Sequence, residues 1–186
     1  MLDIHVLSIP QRRGPLLERC LASIAMAQIH AGFPTRIWIV HVENAQLGHI
    51  GRMRAQGYAH GSFPYVTSVD DDDWIEPDAF QCLRDALVLH RFPAVYTREW
   101  TWQNGKRSAY NGRQNLRIFR RGITESFDFQ SWPALDSTAL IAHADGFGPY
   151  LTLNERVYNY TVDPNSEARR LITRDVMTRG RALLHG

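Results

Sequence analysis

The chain has 186 residues, of which 44% are hydrophobic and 22% are charged. This length fits one domain, and this composition excludes intrinsic disorder. The formal net charge of +2 is too small to indicate a nucleic-acid-binding protein by itself. Among the 21 basic residues Lys106 is the only lysine, so arginine supplies nearly all of the positive charge.

Cysteine content and hydrophobic runs indicate the compartment. Cys20 and Cys82 are too few for a disulfide scaffold. The first ten residues lack a basic leader, and no run approaches the roughly 18 apolar residues of a membrane span. We therefore expect a cytoplasmic protein without a membrane span.

The first half of the chain alternates between segments typical of strands and of helices. Apolar, β-rich runs predict strands at 4–9, 36–42 and 65–69. Apolar residues at three- and four-residue steps predict a helix after Pro15, and Glu76 to Asp78 opens another. A glycine-rich, basic segment, 48–57, precedes the third strand. This alternation predicts an α/β fold with a mostly parallel sheet, whose ligands bind beyond the carboxyl ends of the strands.

The second half is less regular. Strands are predicted at 94–102, 115–120 and 157–162, and a helix at 136–144. Asn104 and Gly105 are typical of a two-residue hairpin turn. The segment that follows Glu167 is rich in arginine.

Four consecutive aspartates, from Asp70 to Asp73, follow the third predicted strand. Two carboxylates about 6 Å apart repel each other by roughly 3 kcal/mol at an effective dielectric constant near 20, which favours a compensating cation. On an extended chain, Asp70 and Asp72 point the same way. Mg²⁺ or Mn²⁺ takes one or two carboxylates and completes its shell with water and phosphate oxygens. The alternative is a solvated acidic turn that caps the helix at Pro77.

The order of these parts resembles the GT-A glycosyltransferases of the large family 2 type. The matching segments are the first strand and helix at 6–10 and 17–24, the DXD segment at 69–78, an acidic helix start at Asp136, and the closing segment at 157–166. The resemblance implies one GT-A domain over 1–186, with a mostly parallel central sheet flanked by helices. Its nucleotide-sugar-binding half would be 1–92, its acceptor and catalytic half 93–166, and its C-terminal tail 167–186.

The resemblance also implies an activity. It predicts a metal-dependent transfer of a sugar from a nucleotide-diphosphate sugar, with UDP as the default nucleotide, to an acceptor hydroxyl. A Mn²⁺ or Mg²⁺ ion on Asp72 would stabilise the leaving diphosphate, and Asp70 or Asp71 would face the ribose and the sugar. In an inverting transfer, Asp136 would take the proton from the acceptor hydroxyl.

Further positions match the family's donor site. Pro10, Arg12 and Glu43 match loops that hold the nucleoside, and Arg54 lies where the family has a basic residue near the diphosphate. These four residues are therefore predicted to bind the nucleotide-sugar.

The chain also departs from the family's pattern. Asp163 stands where the family has a late histidine, and an aspartate is a good ligand for a hard metal ion. Thr161 replaces the family's arginine, which weakens the pairing with the diphosphate. Leu135 replaces an acidic residue, so the assignment of the catalytic base rests on Asp136 alone.

Several functions stay open at the level of sequence. The acceptor is a saccharide or, alternatively, a modified base in DNA, and a second copy of the chain could complete its site. Trp100, Trp102 and Trp132 lie in the acceptor half, where they would pack in the core or stack on the acceptor. The same carboxylate pattern would also suit a nucleotidyltransferase, or a module that binds a nucleotide-sugar without turning it over.

Overall fold

The computed structural model describes residues 1–8, 14–41, 50–89, 91–112, 116–132 and 136–162. The described residues contain eight strands and five α-helices. The strands are β1 (Leu2–Ser8), β2 (Thr35–His41), β3 (Tyr65–Asp70), β4 (Trp74–Ile75), β5 (Ala94–Gln103), β6 (Lys106–Tyr110), β7 (Arg117–Arg120) and β8 (Leu151–Thr161). The helices are α1 (Gly14–His30), α2 (Ile50–Tyr58), α3 (Ala79–Val88), α4 (Arg121–Glu125) and α5 (Asp136–Asp145), with a short 3₁₀ helix at Phe129–Ser131.

All eight strands belong to one sheet, in the order β2–β1–β3–β7–β5–β8–β4, with β6 paired to β5. The α/β fold class predicted from the sequence is confirmed. Parallel pairing joins β1 to β2 and to β3, and β5 to β8, whereas the other pairs are antiparallel. The sheet is therefore mixed, where a mostly parallel sheet was predicted, because a hairpin and an antiparallel β7 follow the parallel strand–helix units of the first half.

The main core lies between β1, β3 and the helices α1 and α3. Every residue of β1 is buried, as expected for a strand with neighbours on both sides. Helix α1 buries Cys20, Ile24 and Ala27, which recur at helical spacing along one face. Helix α3 adds Phe80 and Leu83 to the same cluster. A large apolar side chain contributes about 1.5–3 kcal/mol on burial, and this core supports the carboxyl end of β3.

The β5–β6 hairpin turns at Asn104 and Gly105, as predicted. Both residues have positive φ angles, 51° and 71°, which a two-residue turn with the right twist requires. The hairpin extends the sheet at β5, and every residue of β6 is exposed.

A buried ion pair fixes the start of β1. The carboxylate of Asp3 is fully buried and accepts hydrogen bonds from Trp38 Nε1 at 2.9 Å, from the Phe63 backbone N–H at 2.8 Å, and from the Arg121 guanidinium. Burial alone would raise the pKa of Asp3, but these hydrogen bonds and the charge of Arg121 outweigh it and hold that pKa below its ordinary value. Gly61 has a φ angle of +88° and passes so close that an added Cβ would lie 2.3 Å from the Asp3 carboxylate.

The helices are short or amphipathic rather than continuously apolar. Within the described ranges, the chain contains no helix that is both long and apolar enough to cross a membrane.

Candidate active site

The four aspartates form a tight turn at the carboxyl end of β3. The backbone N–H of Asp73 donates to the Asp70 carbonyl at 3.0 Å, and β4 begins at the next residue, Trp74. The segment is thus a turn, whereas the prediction that Asp70 and Asp72 point the same way assumed an extended chain. Exposure nevertheless alternates: Asp71 is 2% exposed and Asp73 is 1% exposed, whereas Asp70 and Asp72 are half-buried.

The carboxylate of Asp70 is held by an arginine from α2. Arg54 Nη2 lies 3.2 Å from both carboxylate oxygens of Asp70, and Arg54 Nη1 donates to Ser68 Oγ at 2.6 Å. The hydroxyl of Tyr58 also bonds to Ser68 Oγ, at 3.1 Å. Because Arg54 is only 8% exposed and Asp70 is 37% exposed, the arginine fixes the carboxylate from the protein side and leaves it open to the solvent side.

The carboxyl group of Asp73 ties the turn to β8. Its Oδ2 accepts a hydrogen bond from the Tyr158 hydroxyl at 2.6 Å, and its Oδ1 accepts one from the Thr161 backbone N–H at 2.7 Å. Burial, together with the neighbouring charges of Asp72 and Asp70, raises the pKa of Asp73 well above its ordinary value. A carboxyl group in this environment anchors the turn and is shielded from any ligand.

The backbone of Asp72 is held from two sides. Its carbonyl accepts hydrogen bonds from Arg19 Nη2 at 2.7 Å and from the Thr161 hydroxyl at 2.9 Å. The guanidinium of Arg19 lies 3.9 Å over the ring of Trp74, which fixes the arginine in turn. The half-buried carboxyl group of Asp72 therefore extends from a fixed backbone at the end of the sheet.

The oxygen donors of the turn suit a divalent cation only in part. No cluster of three or more carboxylate, histidine or cysteine side chains that could hold a metal ion occurs among the described residues. Asp70 and Asp72 supply half-buried oxygen donors on one turn, which fits a cation that takes most of its ligands from a diphosphate and water. The set does not fit an ion held by protein ligands alone.

Two contributors to the site were missed at the level of sequence. Tyr158 and Thr161 lie in the closing segment 157–166, which drew attention through its resemblance alone. The Tyr158 hydroxyl contacts both Asp73 and, at 3.4 Å, the backbone N–H of Asp70. One contact of Thr161 uses a backbone N–H, which any residue except proline can supply, so no residue pattern would have shown it.

Helix α2 connects the aspartate turn to the segment before Asp136. A Cβ added to Gly51 would lie 2.4 Å from the Trp132 carbonyl and 2.7 Å from the Phe129 carbonyl, so this backbone packs directly on α2. Gly51 precedes Arg54 by about one helical turn. Asp136 begins α5 four residues after Trp132, a length of chain that spans at most about 14 Å.

The other residues predicted to bind the nucleotide-sugar or the metal are either outside the described part of the chain or buried. Pro10, Arg12, Glu43 and Asp163 lie outside the described residues, as does the arginine-rich tail. The buried position of Asp71 leaves Asp70 as the more accessible of the two carboxylates predicted to face the nucleotide.

The chain is similar to known proteins in its fold. No family model and no curated protein sequence matches the chain. Solved structures of S. aureus TarS 1–349 share its fold, with a TM-score of 0.64 at 16% identity over 86% of this chain and 60% of that chain. The complex with UDP-GlcNAc has a TM-score of 0.68 at 13% identity, over 90% of this chain and 60% of that one. The complex with UDP has a TM-score of 0.66 at 16% identity, over 95% and 65%.

This likeness defines the class of fold. The predicted GT-A fold is confirmed, and the chain spans about three fifths of the length of the first TarS structure that it matches.

Proposed function

We propose that the chain is a metal-dependent glycosyltransferase that moves a sugar from a UDP-sugar to an acceptor hydroxyl with inversion. The observation that carries this proposal is the fixed turn at the end of β3, on which Asp70 and Asp72 are half-buried and Asp71 and Asp73 are buried. The turn lies in a fold shared with TarS, whose solved structures include complexes with UDP and with UDP-GlcNAc.

Each half-buried carboxylate has its own role in the proposal. Asp72 would hold Mn²⁺ or Mg²⁺, with Asp163 as a second ligand, and the ion when bound offsets the negative charge of the leaving diphosphate. Asp70 would face the ribose and the sugar, held in place by Arg54. Arg54 thus acts on the donor through Asp70, because its guanidinium is almost entirely buried.

The nucleoside and the acceptor would be bound by other segments. Pro10, Arg12 and Glu43 would hold the nucleoside. Asp136 would accept the proton of the acceptor hydroxyl as its oxygen attacks the anomeric carbon and UDP departs.

Turnover of UDP-sugars in the presence of Mn²⁺ tests this proposal. We expect Asp136→Asn to lose transfer while its affinity for UDP stays unchanged, since the base takes no part in donor binding. The matched control is Asp145→Asn at the other end of α5, which should keep transfer. Full transfer by Asp136→Asn would remove the residue from its proposed role. Pyrophosphate release in place of UDP would contradict glycosyl transfer and favour a nucleotidyltransferase.

A further inference from the structure

Guanidinium groups and indole rings form a chain of side-chain contacts across α1, β6, β5, β8 and β4. The guanidinium of Arg156 lies 5.3 Å from the ring centroid of Trp100. Arg107 lies 4.2 Å from the Trp100 centroid and 5.8 Å from that of Trp102. The Trp102 ring packs against Trp74 at 5.4 Å. The guanidinium of Arg19 lies over the Trp74 ring and completes the set. We call these six side chains the arginine–tryptophan ladder: Arg19, Trp74, Trp102, Arg107, Trp100 and Arg156.

The ladder offers hydrogen-bond donors beside its indole rings. Arg107 and Arg156 cover Trp100, and Arg19 and Trp102 cover Trp74. A neutral sugar stacks on an open aromatic face, and the guanidinium groups compete for the faces of these indoles. Guanidinium groups that stack by their faces direct their N–H groups outward, the arrangement that suits phosphate. Arg107 is exposed, and its guanidinium makes no hydrogen bond within the described part of the chain.

Positive charge accumulates beside the ladder. Arg98 lies directly opposite Arg156 in the β5–β8 pairing, and both donate to the same amide oxygen of Asn111, at 3.4 and 2.6 Å. Like charges opposite each other are unfavourable. Across the described ranges, neither arginine nor Arg107 has a carboxylate within ion-pair distance. The buried Nε atoms of Arg98 and Arg156 also lack a hydrogen-bond partner there. An anion from outside the chain would relieve this repulsion.

One end of the ladder reaches the aspartate turn. Arg19 stacks on Trp74 and at the same time donates to the carbonyl of Asp72 at 2.7 Å. A chain-like anion bound along the ladder therefore approaches the position proposed for the donor.

We propose that the arginine–tryptophan ladder binds the phosphates of a nucleic acid strand, and that this strand carries the acceptor hydroxyl. This inference rests on the proposed function and names its acceptor class. Guanidinium groups at successive positions of the ladder match the repeated phosphates of a strand.

Binding of a labelled single-stranded DNA of about 20 nucleotides, measured by fluorescence anisotropy over a range of NaCl concentrations, tests the inference. We expect the Arg107→Gln/Arg156→Gln variant of the full chain to bind about tenfold more weakly. The slope of log K against log salt should become shallower by about 1.4, the value for two lost phosphate contacts on a single strand. The matched control is Arg84→Gln on α3, an exposed arginine away from the ladder, which should change neither quantity.

Three results would overturn the inference: no binding of DNA by the unmodified chain, unchanged binding by the double variant, or tighter binding of a carboxylate polysaccharide than of DNA. Thermal unfolding verifies that each variant is folded. UDP affinity of the unmodified chain, measured on the same samples, separates the two proposals. If the chain binds UDP but not DNA, this inference alone is contradicted. If it binds DNA but not UDP, the proposed function is contradicted.

Discussion

At the scale of single residues, Asp73 shows how the candidate site is organised. Its carboxyl group is buried beside Asp70 and Asp72, and contacts from β8 satisfy both of its oxygens. A buried polar atom left without a partner costs about 1–3 kcal/mol. The hydroxyl of Tyr158 and the backbone of Thr161 therefore hold the whole turn in one conformation, which in turn fixes the two half-buried carboxylates.

Replacing Tyr158 with phenylalanine removes one of these contacts. We expect Tyr158→Phe to lower the free energy of unfolding by about 1–3 kcal/mol, because Asp73 Oδ2 loses its donor. Chemical denaturation measures this loss, and calorimetry should show weaker binding of UDP with Mn²⁺ in the same variant.

Tyr160→Phe is the matched control. Tyr160 lies two residues away on β8, and burial raises the pKa of its hydroxyl to about 12, so this group stays neutral at assay pH. Within the described residues its hydroxyl makes no hydrogen bond, and both stability and UDP affinity should be retained. Equal losses in the two variants would argue against a specific role for the Tyr158 hydroxyl.

At the scale of elements, α2 determines how the aspartate turn and the Phe129–Trp132 segment approach each other. Arg54 contacts the aspartate turn. Gly51 lies about one helical turn earlier, and the Trp132 and Phe129 carbonyls pack closely against it. A side chain at Gly51 would overlap both carbonyls. The glycine is thus required by close packing.

The variant Gly51→Ala tests this connection. An added Cβ would lie 2.4 Å from the Trp132 carbonyl, so the segment before α5 has to move. We expect a loss of about 1–3 kcal/mol in stability and a fall in kcat that exceeds any change in UDP affinity. Kinetics and denaturation on one preparation measure both effects.

Gly122→Ala in α4 is the control, because an added Cβ there would have no neighbour within 4 Å. It should leave activity unchanged and raise stability by up to about 1 kcal/mol. A Gly51→Ala variant that behaved in the same way would show that the close contact is unimportant.

The elements also differ in how well the sequence predicts them. Apolar runs and the Asn104–Gly105 turn are local signals, and they located most strands and the hairpin. The two-residue β4 has no periodicity, because its existence depends on pairing with Tyr158 and Asn159. The glycines of segment 48–57 indicate no particular element, yet α2 lies there, with backbone distant in sequence packed against Gly51.

The geometry of the candidate site was predicted only in part from the sequence. The run of aspartates indicated that carboxyl groups lie at the end of β3, since a strand end and a charge pattern are visible in the sequence, but not that the segment forms a turn. The contact between Arg54 and Asp70 was not predicted, because it depends on where α2 docks. The same holds for the contacts that β8 makes with Asp73.

At the scale of the whole molecule, the stabilising ion pair and the candidate site lie at opposite ends of the parallel strands. Asp3 lies near the start of β1, and Asp70 lies at the end of β3, which runs parallel to β1. Arg121 joins this end of β1 to the start of α4, in the other half of the chain. Stability can therefore be altered at Asp3 without a change in the aspartate turn.

Asp3 also makes stability depend on pH. Its pKa is below the ordinary value of 3.8 in the folded state, so the folded state binds fewer protons than the unfolded state near that pH. The stabilisation is therefore present above pH 3.8 and is lost as pH falls below it. We expect Asp3→Asn to be about 3 kcal/mol less stable than the unmodified chain at neutral pH.

Denaturation at pH 7 and in the acid range checks this expectation. The difference between the two proteins should shrink as the pH falls below 3.8, the ordinary pKa of an aspartate. A difference that stayed constant down to acid pH would contradict the role of the ionised carboxylate.

Calorimetric titration of UDP with and without Mn²⁺ tests the central claim most directly. Asp72→Asn removes the proposed metal ligand and keeps the shape of the side chain, and Asp78→Asn, an exposed residue before α3, is the matched control. We expect Mn²⁺ to tighten UDP binding in the unmodified chain and in Asp78→Asn, and we expect Asp72→Asn to lose this gain. Equal tightening by Mn²⁺ in all three proteins would contradict the central claim.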